Sequence, residues 1–205
     1  MKGPRAPLEG AAPPVRVGCV LLASGFSRRY GSNKLFSLWR GVPLYRRAFS
    51  ALPPSLFHRA VVTSQYPAIL EAARAAGYQA LANSGAEEGV AAGIRLGLSA
   101  LLDLDGVLFS VCDQPELKTD SILRLIYTFQ ESPDAVCALA WQGRRGNPVL
   151  FPRSLFPELL ALRGDTGGAA VLRRHPELLR LVEAGEACEL ADLDRPGELF
   201  HPSSV

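Results

Sequence analysis

An apolar run, Val17, Cys19, Val20, Leu21 and Leu22, stops at Ala23-Ser24-Gly25, and cations follow: Arg28, Arg29 and, past a second glycine at Gly31, Lys34. Such a run is a buried strand, and buried strands of this kind belong to sheets covered on both faces. Small residues just past its end let backbone N–H groups approach an anion, while Arg and Lys side chains add charge-assisted hydrogen bonds. The anion such a loop suits best is a polyphosphate. The competing interpretation is a strand and a turn carrying solvated basic residues. Spacing excludes two better-known phosphate loops. There is no G-x-x-x-x-G-K-[ST], because Lys34 follows Asn33 and precedes Leu35, and Gly25 and Gly31 stand too far apart for G-x-G-x-x-G.

Further along, short runs rich in Val, Leu and Ala predict strands over Val15–Leu22, His58–Thr63, Gly106–Val111 and Ala135–Ala140. Apolar residues at three- and four-residue spacing predict helices over Leu44–Leu52, Ala68–Ala76, Val90–Leu102 and Ser121–Glu131, the last capped by Thr119 or Asp120. Strands alternating with helices imply a three-layer α/β/α, Rossmann-like fold with a mainly parallel sheet. Ligands of such sheets sit beyond the carboxyl ends of the strands, where the loops Ser24–Lys34, Asn83–Gly89 and Asp113–Pro115 fall. After Ala140 the pattern predicts a tight turn over Gly143–Pro148 between strands Val136–Trp141 and Val149–Phe151. A helix over Arg153–Leu162, a loop over Gly164–Gly168, a helix to Arg174 and a tail over Asp192–Leu199 follow.

A chain of 205 residues fits one domain, burying roughly 70% of its unfolded surface. Residues 1–14 read as a flexible leader and 15–205 as the domain. The 48% hydrophobic and 20% charged content is that of a soluble globular protein, and a net charge of +2 is too small to imply nucleic-acid binding by bulk electrostatics. No apolar stretch approaches the ~18 residues of a membrane span. Lys2 and Arg5 ahead of Val17–Leu22 imitate a signal peptide, but Pro13, Pro14 and Arg16 leave too short an apolar core. Cys19, Cys112, Cys137 and Cys188 show neither pairing nor metal spacing and read as buried reduced thiols of a cytoplasmic protein. His58, His175 and His201 show no metal spacing either. Trp39 and Trp141 read as packing residues, and the arginines around Arg144 and Arg173 as solvated faces or, in the minority view, a grip on an anionic acceptor.

Asp113 directly follows the apolar strand and precedes Gln114-Pro115. A carboxylate there needs a partner, and Mg²⁺ carrying phosphates is a natural one; a helix cap or turn is the alternative. Asp165, between Gly164 and Thr166-Gly167, is a second candidate ligand or else the N-cap of the helix Ala169–Arg174. Asn83 and Ser84 are either helix caps or part of a ligand loop, while Glu87 and Glu88 favour the helix dipole and face water.

The segment Leu22-Ala23-Ser24-Gly25-Phe26-Ser27-Arg28-Arg29-Tyr30-Gly31-Ser32-Asn33-Lys34 resembles the signature of the MobA-like nucleotidyltransferases, most closely the molybdenum cofactor cytidylyltransferases. Ser24 stands for their Ala or Gly and Tyr30 for their Met or Phe. Asp113-Gln114-Pro115, Gly146-Asn147-Pro148-Val149-Leu150-Phe151, Gly164-Asp165-Thr166-Gly167 and the tail Asp192-Leu193-Asp194-Arg195-Pro196 resemble further motifs, with Asn147 where the cytidylyltransferases often carry His. The resemblance implies the nucleotide-diphospho-sugar transferase fold. It also implies Mg²⁺-dependent transfer of a nucleoside monophosphate, CMP from CTP, to the phosphate of molybdopterin with release of pyrophosphate. Leu22, Ala23, Ser24, Gly25, Arg29, Lys34, Asn83, Gly85, Gly89 and Asp113 would hold the nucleotide. Arg29, Lys34 and Asp113 would carry catalysis, Asp113 and Asp165 the metal, and a recipient molybdoenzyme is a further partner. CTP is favoured because Ala at the position of Ser24 goes with cytosine in that family and Gly with guanine. Two rivals stand beside this: the same fold acting on a sugar or alcohol phosphate, and a non-catalytic carrier of molybdenum cofactor.

Overall fold

The computed structural model describes residues 14–25, 33–195 and 198–200. Arg28, Arg29, Tyr30 and Gly31 of the first loop and residues 1–13 of the expected leader lie outside them. Strand β1 (Val17–Leu22) is followed by a two-stranded hairpin, β2 (Leu38–Trp39) and β3 (Val42–Pro43), and by helix α1 (Leu44–Ala51). Next come β4 (Arg59–Ser64), α2 (Pro67–Ala75), β5 (Gln79–Ala82), α3 (Val90–Ser99), β6 (Gly106–Val111) and α4 (Thr119–Glu131). The second half adds β7 (Val136–Trp141), β8 (Arg144–Pro152), α5 (Phe156–Leu160), α6 (Ala169–Leu172), β9 (Leu179–Glu183), β10 (Asp192–Arg195) and β11 (Glu198–Phe200).

Seven strands form one sheet in the order β5-β4-β1-β6-β8-β7-β9. All run the same way except β8, which is antiparallel to both β6 and β7. This is the mainly parallel sheet that the continuous apolar strands predict. Alternation along β1 divides the core. Cys19 and Leu21 join Tyr45, Ile69 and Leu125 on the α1, α2 and α4 face, while Val20 packs with Ile94, Leu159 and Val171 on the α3, α5 and α6 face. Two glycines bring α3 hard against the sheet: a Cβ on Gly97 would run into Val20, and one on Gly93 would sit 3.2 Å from Thr63 Oγ1. Among the described residues no helix is long and apolar enough to cross a membrane.

The fold departs from expectation mainly after Ala140. The tight turn is only Gln142-Gly143, both at positive φ (50° and 76°), the geometry of a two-residue hairpin turn. Arg144 and Arg145 are therefore strand residues opposite Trp141 and Ala140, and Gly146-Asn147-Pro148 continues β8 through a register shift. The helix expected over Arg153–Leu162 splits into a 3-10 turn and the short α5, and the next ends at Leu172, not Arg174. Helix α3 likewise stops at Ser99, short of Leu102. Neither Thr119 nor Asp120 caps α4; its N-cap is Lys118, whose N–H donates to Glu189. Three cysteines are buried, but Cys188 is only partly so.

Candidate functional site

At the carboxyl end of β1 the chain is stapled down before it enters the first loop. Ala23 N–H donates to Thr63 O (2.9 Å), extending the β1–β4 pairing, and Ser64 Oγ donates to Ala23 O (2.7 Å). Gln65 Nε2 donates to Ser24 O (2.7 Å), and the Tyr66 hydroxyl to Gly25 O (3.0 Å). Burial raises the Tyr66 hydroxyl above its ordinary pKa, so it remains a donor. The Ser24 hydroxyl donates to Thr63 O (3.2 Å) and accepts from Asn83 Nδ2 (3.0 Å). Asn83 is thus a buried wall residue, not a helix cap.

Lys34 opens a 3-10 turn, Lys34–Phe36, in which Asn33 Oδ1 accepts from Leu35 N–H (3.1 Å). That turn aims Lys34 Nζ across the cavity to Asp113 Oδ2 at 2.6 Å, each side chain 19% exposed. The other carboxylate oxygen, Asp113 Oδ1, is buried and accepts no hydrogen bond. Asp113 follows β6 by two residues, and its carbonyl accepts from Leu193 N–H at 2.9 Å. The tail thereby buttresses this loop. Burial, then the Asp113 charge, holds the neighbouring Cys112 thiol above the ordinary range.

Asp165 does not cap the helix that follows it. Its Oδ1 accepts from Val90 N–H at 3.3 Å, at the start of α3, and Gly164 O accepts from Ala91 N–H (3.1 Å). Gly89 makes this approach possible: its φ is +101°, and a Cβ there would lie 2.6 Å from Gly164 C.

One cavity of about 670 Å³ gathers these groups. Leu22, Ser24, Gly25, Lys34, Asn83, Gly89, Asp113 and Asp165 all line it. Of the other predicted residues, Ala23 is buried and contributes backbone hydrogen bonds, Gly85 shapes the turn that Glu88 N–H closes on its carbonyl, and Arg29 lies outside the described residues. Glu87 and Glu88 are exposed, as expected, and also line the cavity, with Glu88 paired to Arg95 at 2.7 Å. Sequence reasoning passed over Thr63, whose Oγ1 is buried without a hydrogen-bond partner in the cavity lining, and Gly93 beside it. The glycines four apart in α3 were the available signal.

The donor set suits a hard divalent cation. Two carboxylates face the same space, and one buried oxygen lacks a partner. Among the described residues no three His, Cys, Asp or Glu side chains come together, so a cation held there would complete its shell with phosphate oxygens and water.

The chain is 30% identical to the purine catabolism protein PucB of Bacillus subtilis, over 87% of this chain and 92% of that one. It is 24% identical to the nicotine blue oxidoreductase of Paenarthrobacter nicotinovorans, over 88% and 93%. With a probable molybdenum cofactor guanylyltransferase of Bacillus licheniformis it shares 28% identity over 59% of this chain and 60% of that one. In fold it is similar to Rv0371c of Mycobacterium tuberculosis, with a TM-score of 0.76, 23% identity and coverage of 90% and 95%. The family model for the MobA-like NTP transferase domain matches residues 19–178, a span that contains every residue lining the cavity, and the chain belongs to that family.

Proposed function

We propose that this protein transfers a nucleoside monophosphate, CMP from CTP, to the phosphate of molybdopterin, with release of pyrophosphate. The observation that carries this reading is the Lys34–Asp113 pair at 2.6 Å in a cavity where Asp113 keeps a second, unpartnered oxygen. A cation and a carboxylate in contact at the rim of the sheet are what a metal-bearing triphosphate would exchange for its own charges.

In the mechanism, an oxygen of the acceptor phosphate attacks the α-phosphorus. The bond between that phosphorus and the oxygen bridging to the β-phosphate breaks, and pyrophosphate leaves with the electron pair. Lys34 turns from Asp113 to the triphosphate and, with Arg29, offsets the charge growing on the leaving group. Backbone around Gly25, fixed by Gln65 and Tyr66, holds the phosphates in place. Mg²⁺ on Asp113, shared with Asp165, would neutralise charge across the phosphate oxygens. No side chain need remove a proton, because a phosphate monoester is already an anion near neutral pH.

Ser24, its hydroxyl occupied by Thr63 and Asn83, adds bulk at the position where the family distinguishes cytosine from guanine, which supports CTP. A recipient molybdoenzyme would take the product, and unpaired cysteines suit a cytoplasmic setting. Pyrophosphate release with purified molybdopterin, Mg²⁺ and each common ribonucleoside triphosphate tests the proposal. Preference for GTP removes the CTP assignment, and no release with any triphosphate removes molybdopterin as the acceptor.

A further inference from the structure

Two loops that line the cavity come from distant parts of the chain and meet at the head of α3. Asn83–Gly89 runs directly into that helix, and Asp165 sits in the turn between α5 and α6. Two main-chain donors of α3 hold the second loop: Val90 N–H to Asp165 Oδ1 (3.3 Å) and Ala91 N–H to Gly164 O (3.1 Å). The first is long and exposed, so Asp165 can release it when it turns to a cation.

Arg95 supplies a third tie, and it reaches both loops at once. It stands on the side of α3 opposite the sheet-facing Gly93 and Gly97, outside the lining of the cavity. Its Nη2 donates to Glu88 Oε2 at 2.7 Å, in the 3-10 turn Ala86–Glu88 of the first loop. Its Nη1 donates to Leu162 O at 2.8 Å, just past the end of α5 and three residues before Asp165. Leu162 is itself buried with Ile94, Leu98 and Leu159, so the carbonyl that Arg95 grips is anchored. The ion pair to Glu88 is exposed and contributes little by its charge alone. Its use is geometric: a planar guanidinium that holds one oxygen from each loop fixes their separation, which a single ammonium does not. Arg163 provides the contrast. Its Nη1 also donates to Leu162 O (2.8 Å), but its second acceptor is Leu160 O, on α5.

We infer that Arg95 is a positioning residue that couples the two halves of the site, holding the Asp165 loop against the Glu88 loop so that divalent cation and triphosphate strengthen each other's binding. The inference rests on the transferase reading and adds to it a residue that touches neither ligand. Coupling of this kind is reciprocal: what the triphosphate gains from the cation, the cation gains from the triphosphate. Cutting the bridge leaves Lys34, Asp113 and Asp165 in the chain, so the loss falls on the coupling and not on the triphosphate alone.

Calorimetric titration of the full chain with CTP, once in excess Mg²⁺ and once in EDTA, reads the coupling without turnover. Comparing the ratio of the two affinities between variants cancels the chelation of Mg²⁺ by CTP in solution. Arg95→Gln should cut that ratio by at least about fivefold, with the affinity in EDTA within about twofold of the unmodified protein. Arg95→Lys, which cannot span both oxygens, should also lower it, and serves if the Gln variant does not fold. Arg163→Gln, which removes a bond to the same carbonyl, should leave it unchanged. Hydrogen exchange at the Val90 and Ala91 amides, measured without ligands, is the second arm: Arg95→Gln should speed it and Arg163→Gln should not. An unchanged ratio, an equal fall with and without Mg²⁺, or the same loss in Arg163→Gln overturns the coupling, as does unchanged exchange. Failure of the unmodified protein to bind CTP, GTP, ATP or UTP overturns the transferase reading instead, and the exchange arm then judges the bridge by itself.

Discussion

The main-chain N–H of Leu193 reaches the carbonyl oxygen of Asp113 across 2.9 Å, joining the tail to the residue proposed to seat the metal. The same strap makes a second contact, Gln114 Nε2 to Leu190 O at 3.4 Å. Leu193→Pro deletes the donor without touching a side chain of the cavity. The Mg²⁺ concentration giving half-maximal turnover should rise several-fold. An unchanged magnesium titration would show that the tail does not position Asp113.

Asp113→Ala removes a largely buried carboxylate from the loop after the central strand β6 and leaves that strand intact. Turnover is expected to fall by at least about a thousandfold, while the circular dichroism spectrum and cooperative melting persist. Persistent turnover in a folded Asp113→Ala protein would refute the metal assignment.

Glu189 has no exposed surface and accepts three main-chain N–H bonds, from Gly185 (2.8 Å), Glu186 (3.1 Å) and Lys118 (3.1 Å). It ties the turn before the tail to the start of α4. Glu189→Ala strands those donors and should lower stability by about 3 kcal/mol in urea titration. A loss under about 1 kcal/mol would mean that the donors find other partners.

At Gly89 two constraints coincide, positive φ and contact with the Gly164-Asp165 backbone. Gly89→Ala should cost about 1–3 kcal/mol and raise the KM for the triphosphate, because the loop carrying Asp165 is pushed from α3. A variant with wild-type KM and stability would place the loop elsewhere in solution.

Burial holds the Cys19 and Cys112 thiols above their ordinary value of 9.0 and pushes Cys137 up to about 11. The folded state therefore keeps protons that the unfolded chain releases above about pH 9. Stability should be level below that pH and fall above it, by about 1.4 kcal/mol per pH unit for each such thiol. Urea midpoints between pH 8 and pH 10.5 measure the slope, and Cys19→Ala should flatten it. A midpoint that rises over this interval would contradict the burial of these thiols.

What could be read in advance follows from where each determinant lies along the chain. Gly106–Val111 is bounded by its own chemistry, apolar residues ended by Cys112-Asp113, and the strand falls on those residues. Lys34 and Asp113 stood out because each sits just past an apolar run or a glycine. Their 2.6 Å contact joins positions 79 residues apart, which no local pattern reports. The partner of Asp165 shows the same limit: local sequence offers the helix starting at Ala169, whereas packing supplies the start of α3. Strand β9 escaped notice because most of Leu179–Glu183 remains at least partly exposed at the sheet edge, so its pattern is weakly apolar and only the pairing with β7 defines it. In β8, Gly146-Asn147-Pro148 carries turn residues inside a strand, and Gln142-Gly143 makes the turn instead.

The single reversed strand has a corollary for redesign. Because β8 begins where its neighbour β6 ends, the two-residue hairpin at Gln142-Gly143 lies close in sequence to Arg145 but far from Gly25 and Asn83. Lengthening or recoding that hairpin would reshape the cavity that Arg145, Phe109 and Phe151 line, while the strand ends that carry Gly25 and Asn83 kept their register.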